Sequence, residues 1–243
     1  MNKNLKARVL PVKTLKESQF TEMFHLFEAF YEDVAFERFC LDLKSKSQII
    51  LMLNHIGQIK GFSSVTDYEV KINQKTYRIL YSGDTIISPD HWGTTVLVST
   101  FTAHMMKLKL KNPHKEVWWF LLSKGYKTYL LLANNFLHYY PRMEESIPQE
   151  YRDLRAHLAN LIYPGHYNNE TGLLKFDRGE HEHLKHHVAP ITEEMMIKKP
   201  KIRFFQEQNP EWEKGDELVC LGKIEFRLWF FIPVRSVLKK FFR

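Results

Sequence analysis

Two stretches of this 243-residue chain gather side chains able to move protons or hold a metal. The first is Tyr81-Ser-Gly-Asp-Thr-Ile-Ile-Ser-Pro-Asp-His-Trp-Gly93, β-rich until Pro89 breaks it into a glycine-containing turn ahead of a helix-length apolar segment. His91 on that turn has an unperturbed pKa of ~6.5, which suits proton transfer near neutrality; the alternative is an exposed turn residue. Asp84, between Gly83 and Thr85, is placed to satisfy backbone donors at a bulge, and to act as a base its ordinary pKa of ~3.9 has to be raised by burial. The second stretch is His181-Glu-His-Leu-Lys-His-His187. On a helix His183 and His187 share a face at i, i+4, a spacing that suits a zinc pair. The residue four after His181 is Lys185, however, so the His-Glu-x-x-His pattern of zinc hydrolases fails. The segment reads better as a charged, solvated turn, and no metal is expected.

Periodicity supplies the elements around these residues. From Phe20 to Val34, apolar residues recur at three- and four-residue steps, the face of a helix, with Thr14 and Glu17 as its capping box. A shorter helix covers Phe36 to Leu43. Strands are expected over Ile49 to Leu53, Ile59 to Val70 and Thr76 to Ser88, joined by the turns Asn54 to Gly57 and Asn73 to Lys75. After Pro89 the pattern predicts a helix over Thr94 to Leu110, a strand over Val117 to Ser123, and a helix over Thr128 to Tyr140 that Pro141 stops. Gln149 to Ile162 reads as another amphipathic helix. Beyond it lie a loop from Tyr163 to Thr171, short helices at Pro190 to Lys198 and Lys201 to Gln206, and a last strand at Leu218 to Arg227.

Composition narrows the class. With 44% hydrophobic and 14% aromatic residues the chain buries a sizeable core, and disorder or a repeat array does not fit. Cys40 and Cys220 are too few for a disulfide framework and are expected to be buried spectators in a reducing compartment. The residues from Met1 to Lys16 hold no apolar segment of signal-peptide length, and no run reaches the ~20 apolar residues of a spanning helix; a cytoplasmic location is expected. A net charge of +7 suits acidic partners, but basic residues are scattered and no recognition element is present, so nucleic acid ranks last. From Phe226 to Arg243 a basic amphipathic end follows Pro233. It reads either as a terminal helix docked on the core, which is favoured slightly, or as a peripheral contact with an anionic membrane.

The order helix, helix, three-strand meander, helix, strand, helix, with the Pro89 to Gly93 turn, resembles the GNAT superfamily of N-acyltransferases over roughly Phe20 to Arg142. The resemblance implies an α/β (α+β) fold with a mixed, mostly antiparallel central sheet flanked by helices. Residues 1–142 would form the thioester-binding core, and a C-terminal extension, 143–243, would complete the sheet and the acceptor side of the same compact domain. In that fold two parallel neighbours, here Tyr77 to Ser88 and Val117 to Ser123, splay apart to grip an acyl thioester. The implied activity is transfer of an acyl group from acyl-CoA or acyl carrier protein to a small amine or an amino lipid. The alternative is a non-catalytic module that docks a partner or an anionic membrane. The implied catalytic residues are Asp84 or His91 as base and Tyr140 as acid, with Tyr139, Tyr126 and Tyr129 as further contenders. Donor contacts are implied at Ile86, Ile87, Trp92, Gly93, Thr94, Thr95, Val96, Ser123, Asn134 and Asn135. The chain departs from the family at the phosphate loop, where Trp92 replaces a basic residue and Thr95 to Leu97 lacks the second glycine. That departure disfavours close approach of a pyrophosphate and favours acyl carrier protein, whose pantetheine arm carries one phosphate.

Overall fold

The structure, a computed structural model, describes residues 5–177, 181–185, 188 and 190–228. The first half contains β1 (Lys6–Pro11), α1 (Glu17–Glu28), β2 (Tyr31–Glu32), α2 (Phe36–Ser45), β3 (Gln48–Leu53), β4 (Ile59–Ile72) and β5 (Lys75–Ile87). There follow α3 (Val96–Lys111), β6 (Glu116–Ser123), α4 (Tyr126–Asn135), β7 (Tyr139–Tyr140), α5 (Gln149–Ile162), β8 (Tyr167–Asn168) and β9 (Leu173–Leu174). The last elements are β10 (His183–Leu184), α6 (Glu193–Lys198), α7 (Pro200–Gln208) and β11 (Glu217–Lys223). The expected order of helices, meander and crossover is present. The fold is mixed α/β, with a large, mostly antiparallel sheet between helical layers.

The main sheet runs β1-β3-β4-β5-β6-β11-β9-β8, with β7 also on β11, and all its neighbours are antiparallel except β5 and β6. Alternation along each strand sends side chains to two cores. Ile50 and Met52 of β3, Leu80 of β5 and Trp119 of β6 pack with α3, α4 and α7. Ile49 and Leu51 face α1 and α2 on the other side, and Trp118 and Phe120 face α5 there.

Several boundaries differ from the expectation, each for a non-local reason. Helix α1 stops at Glu28, because Tyr31–Glu32 pairs with His183–Leu184 in a small second sheet. Its start is closed by Gln19, whose side chain accepts from the Lys16 amide at 3.0 Å, while the Thr14 hydroxyl donates back to the Pro11 carbonyl. Helix α4 ends at Asn135 rather than Tyr140, since Tyr139 and Tyr140 are extended and pair with Gly222 and Leu221 of β11. A Cβ on Gly222 would lie 2.5 Å from Leu132 and 2.8 Å from Phe136, so only glycine lets α4 pack this closely on the sheet. The last strand ends at Lys223, short of Arg227. Cys220 is buried as expected, whereas Cys40 is only partly covered.

Candidate active site

The feature that organises the site is the end of the parallel pairing. Strands β5 and β6 run in register from Tyr77 opposite Glu116 to Ser82 opposite Leu121, and then part, although β5 continues to Ile87. At the same place β5 carries an extra residue relative to β4: Ser63 pairs with Thr85, but Val65 pairs with Ser82. This bulge bends the strand away from β6 and re-aims the residues inside it, Gly83 and Asp84. It also brings Ser64 so close that a Cβ on residue 83 would sit 2.5 Å from its hydroxyl oxygen, so Gly83 is what the bulge tolerates.

The opening leads into a cavity of about 550 Å³ that is lined by residues from both faces of the sheet. On the α1 and α2 side its wall includes Phe27, Phe30, Tyr31, Phe39 and Asp42, with Tyr81 and Tyr163 nearby. On the α3 and α4 side it includes Leu97, Phe101, Met105, Trp119 and Phe136. Leu184 lines it from the second sheet and Val188 from the turn beyond.

A charged cluster stands at the opening. The pairing of Ser123 with Leu218 sets the next residues, Lys124 and Glu217, side by side. The Lys124 ammonium lies 2.7 Å from Glu182 and 3.6 Å from Glu217, and the His181 Nε2 lies 2.7 Å from Glu217. Glu217 is 2% exposed, so these charges are held away from water. Burial works against the Lys124 charge, but the carboxylates of Glu217, Glu182 and Asp84 outweigh it and hold its pKa above the usual lysine range. Burial likewise pulls the Glu182 carboxyl up, yet Lys124 and then His181 bring it down to about 2. Asp84 shows the opposite balance. Burial pushes its carboxyl up to about 7, Lys124 pulls it back, and Asp42 and Glu182 add to the rise. Tyr31, Tyr81 and Tyr163 are raised above the ordinary phenol range, chiefly by burial, and stay neutral.

Of the residues expected from the sequence, Asp84, Ile86, Ile87, Trp92, Gly93 and Asn135 line the cavity. Others do not. His91 lies on the short turn Pro89–His91 and is not part of the wall. Tyr140 packs against Tyr151 and Trp118 in the α5 core and is not part of the wall, so it is not placed to act as an acid in this cavity. Among the contenders, Tyr129 donates to the Pro141 carbonyl, Tyr139 packs in the same core as Tyr129, and Tyr126 also lies off the wall. Ser123 is fully buried and donates to the Gly125 carbonyl. Asn134 accepts from Lys201 at 3.2 Å, and so faces α7 rather than the cavity. Thr94, Thr95 and Val96 form the turn into α3, with Gly93 at φ 81° ahead of them.

Trp92 takes up an unexpected position. The Ser88 amide donates to Lys60 of β4, so the preceding carbonyl, that of Ile87, points to the open side of β5. The Trp92 indole N–H donates to that carbonyl at 2.8 Å. One acceptor on the open strand edge is thereby occupied, and Lys127 lies 4.7 Å over the same indole.

The histidine-rich stretch is extended at His183–Leu184, so the helical spacing of a zinc pair does not arise, and His187 lies outside the described residues. Among the described residues no group of three or more His, Cys, Asp and Glu side chains is arranged to hold a metal. No described helix is long and apolar enough to cross a membrane. The basic amphipathic end lies outside the described residues from 229 onward.

No family model matches the sequence, and no curated protein matches it. Solved structures with a similar arrangement include a conserved protein of unknown function from Enterococcus faecalis V583, described as a "probable N-acyltransferase". It is 20% identical, with a TM-score of 0.39, over 53% of this chain and 32% of that one. A GNAT family N-acetyltransferase from Escherichia coli, in complex with CoA, is 11% identical, with a TM-score of 0.36, over 51% of this chain and 66% of that one. An aminoglycoside acetyltransferase from an uncultured soil metagenomic sample is 18% identical, with a TM-score of 0.40, over 61% of this chain and 95% of that one. The chain thus spans about a third of the first of these and just under two thirds of the second.

Proposed function

We propose that this chain is an acyltransferase of the GNAT type, which moves an acyl group from an acyl thioester to an amine. The observation that carries the reading is the parting of β5 and β6 beyond Ser82, with the Asp84 carboxyl at the opening and raised to about 7. A carboxyl with that pKa is divided between acid and base at neutral pH, the condition for efficient proton transfer in both directions. The amine nitrogen attacks the thioester carbonyl carbon and a C–N bond forms. Asp84 takes the N–H proton of the tetrahedral intermediate, the C–S bond breaks, and Asp84 passes the proton to the departing sulfur. Backbone N–H groups on the open edge of β5 supply donors to the transient oxyanion. The phosphate loop, with Trp92 in place of a basic residue and no second glycine over Thr95 to Leu97, favours acyl carrier protein over free acyl-CoA as the donor, and a net charge of +7 suits its acidic surface. A small amine or an amino lipid is the acceptor.

A second reading, a non-catalytic module of the same fold, is favoured by one observation: the Trp92 indole occupies a strand-edge acceptor that an extended tether would use. Native mass spectrometry with panels of acyl-CoA and acyl carrier protein, followed by thiol-release assays with amines, separates the two. The transferase reading expects donor bound by the wild type and by Asp84→Asn, and thiol release by the wild type alone. No bound donor of either kind leaves the module; equal release by Asp84→Asn removes Asp84 as the base.

A further inference from the structure

The half of the cavity on the α3 and α4 side is built differently from the half that holds the carboxylates. Leu97, Phe101 and Met105 succeed one another at four-residue steps, so they form one face of α3 turned into the cavity. Leu131 and Phe136, from α4 and its end, line the cavity with them, and Trp119 does so from the sheet. The Trp119 ring lies 5.3 Å from Phe101 and 5.2 Å from Phe136, tying the two helical walls to the sheet. The Trp119 indole N–H is satisfied by the Ser82 hydroxyl at 2.8 Å, which leaves its ring as an apolar surface. An acetyl group would leave this space unfilled, and its apolar wall is interrupted by polar side chains at Thr102, Lys127, Thr128 and Asn135, of which Thr102, Lys127 and Asn135 already donate to backbone carbonyls.

We infer that this half receives the acyl chain of the donor, and that the chain is an unbranched aliphatic one of medium length. The inference rests on the transferase reading and adds the class of acyl group. Its length follows from α3. At about 1.5 Å per residue, the eight steps from Leu97 to Met105 cover about 12 Å; with C–C bonds of about 1.5 Å an extended hydrocarbon advances about 1.25 Å per carbon, so roughly eight to ten carbons fill the wall. The thioester carbonyl then lies at the strand opening beside Asp84, and the tail lies against Met105.

The test is a binding series with acyl-pantetheine thioesters from two to sixteen carbons, with free fatty acids of the same lengths in parallel. Burial of each methylene is expected to tighten binding about fourfold, with the gain ending near eight to ten carbons. Met105→Trp should move that end point about four carbons shorter, by filling the last turn of the wall. A series with no dependence on chain length, or one that weakens beyond four carbons in the wild type, overturns the assignment whether or not the variant folds. Length-dependent binding of fatty acids with no binding of any thioester would keep the aliphatic cavity and overturn the transferase reading instead.

Discussion

Replacing Asp84 by asparagine tests the electrostatics of the opening without any substrate. In the unfolded chain Asp84 loses its proton near the ordinary value of 3.8, whereas burial in the fold holds it up to about 7. Below both values the group is neutral in either state and costs nothing. As the pH climbs, the unfolded chain ionises first, so the wild type loses stability progressively until the folded carboxyl ionises too. The full gap corresponds to about 4 kcal/mol, and an asparagine of the same shape does not incur it. The variant and the wild type should therefore be similarly stable at about pH 4, and at about pH 8 the variant should be ahead by up to about 4 kcal/mol. For a domain of this size that is roughly 10 °C in Tm. Urea unfolding followed by tryptophan fluorescence at several pH values measures the difference directly. A carboxylate that merely satisfied backbone donors at the bulge would be stabilised in its charged form, and would put the wild type ahead at pH 8. That result, or a difference that does not change with pH, refutes the reasoning.

Lys124→Met leaves Glu217 and Glu182 without their ammonium and should cost about 3–5 kcal/mol at neutral pH in the same unfolding assay. Adding Glu217→Gln should recover part of the loss. Gly222→Ala drives a methyl into Leu132 and Phe136, and should cost about 1–3 kcal/mol by overpacking, read as a lower midpoint with an unchanged slope. Trp92→Phe removes the donor to the Ile87 carbonyl and should tighten pantetheine-thioester binding about threefold to tenfold, on the scale of one hydrogen bond of about 1 kcal/mol; unchanged affinity in titration calorimetry would show that the tether does not use that edge.

The long elements were legible because their periods are local. Strands β3, β4 and β5 are runs rich in apolar and β-branched residues separated by turn residues, and α5 has its expected bounds because its apolar stripe is complete within itself. What escaped was set by partners distant in the chain. Strand β1 is an edge strand with most of its side chains exposed, so burial imposes no alternation on it. Two-residue strands such as β7 and β10 are too short to have a period, and Phe136 to Tyr140 reads as a continued helix until β11 claims it. In the site, the bulge at Asp84 was readable from its neighbours Gly83 and Thr85, whereas the open strand was expected only from the family resemblance. The cluster of Lys124, Glu217 and Glu182 was not, because β11 brings Glu217 to Lys124 from far along the chain. The only sequence signal was a lone lysine at the end of an apolar strand, and it marks the place equally well as a strand terminus.

Because the cavity is lined from both faces of the sheet, its two halves are walled by different helices. Substitutions in α1 and α2 can reshape what arrives from one side while α3 and α4 keep their hold on what arrives from the other. In the transferase reading, a lineage with this layout can exchange one reactant for another without relearning how to grip the first.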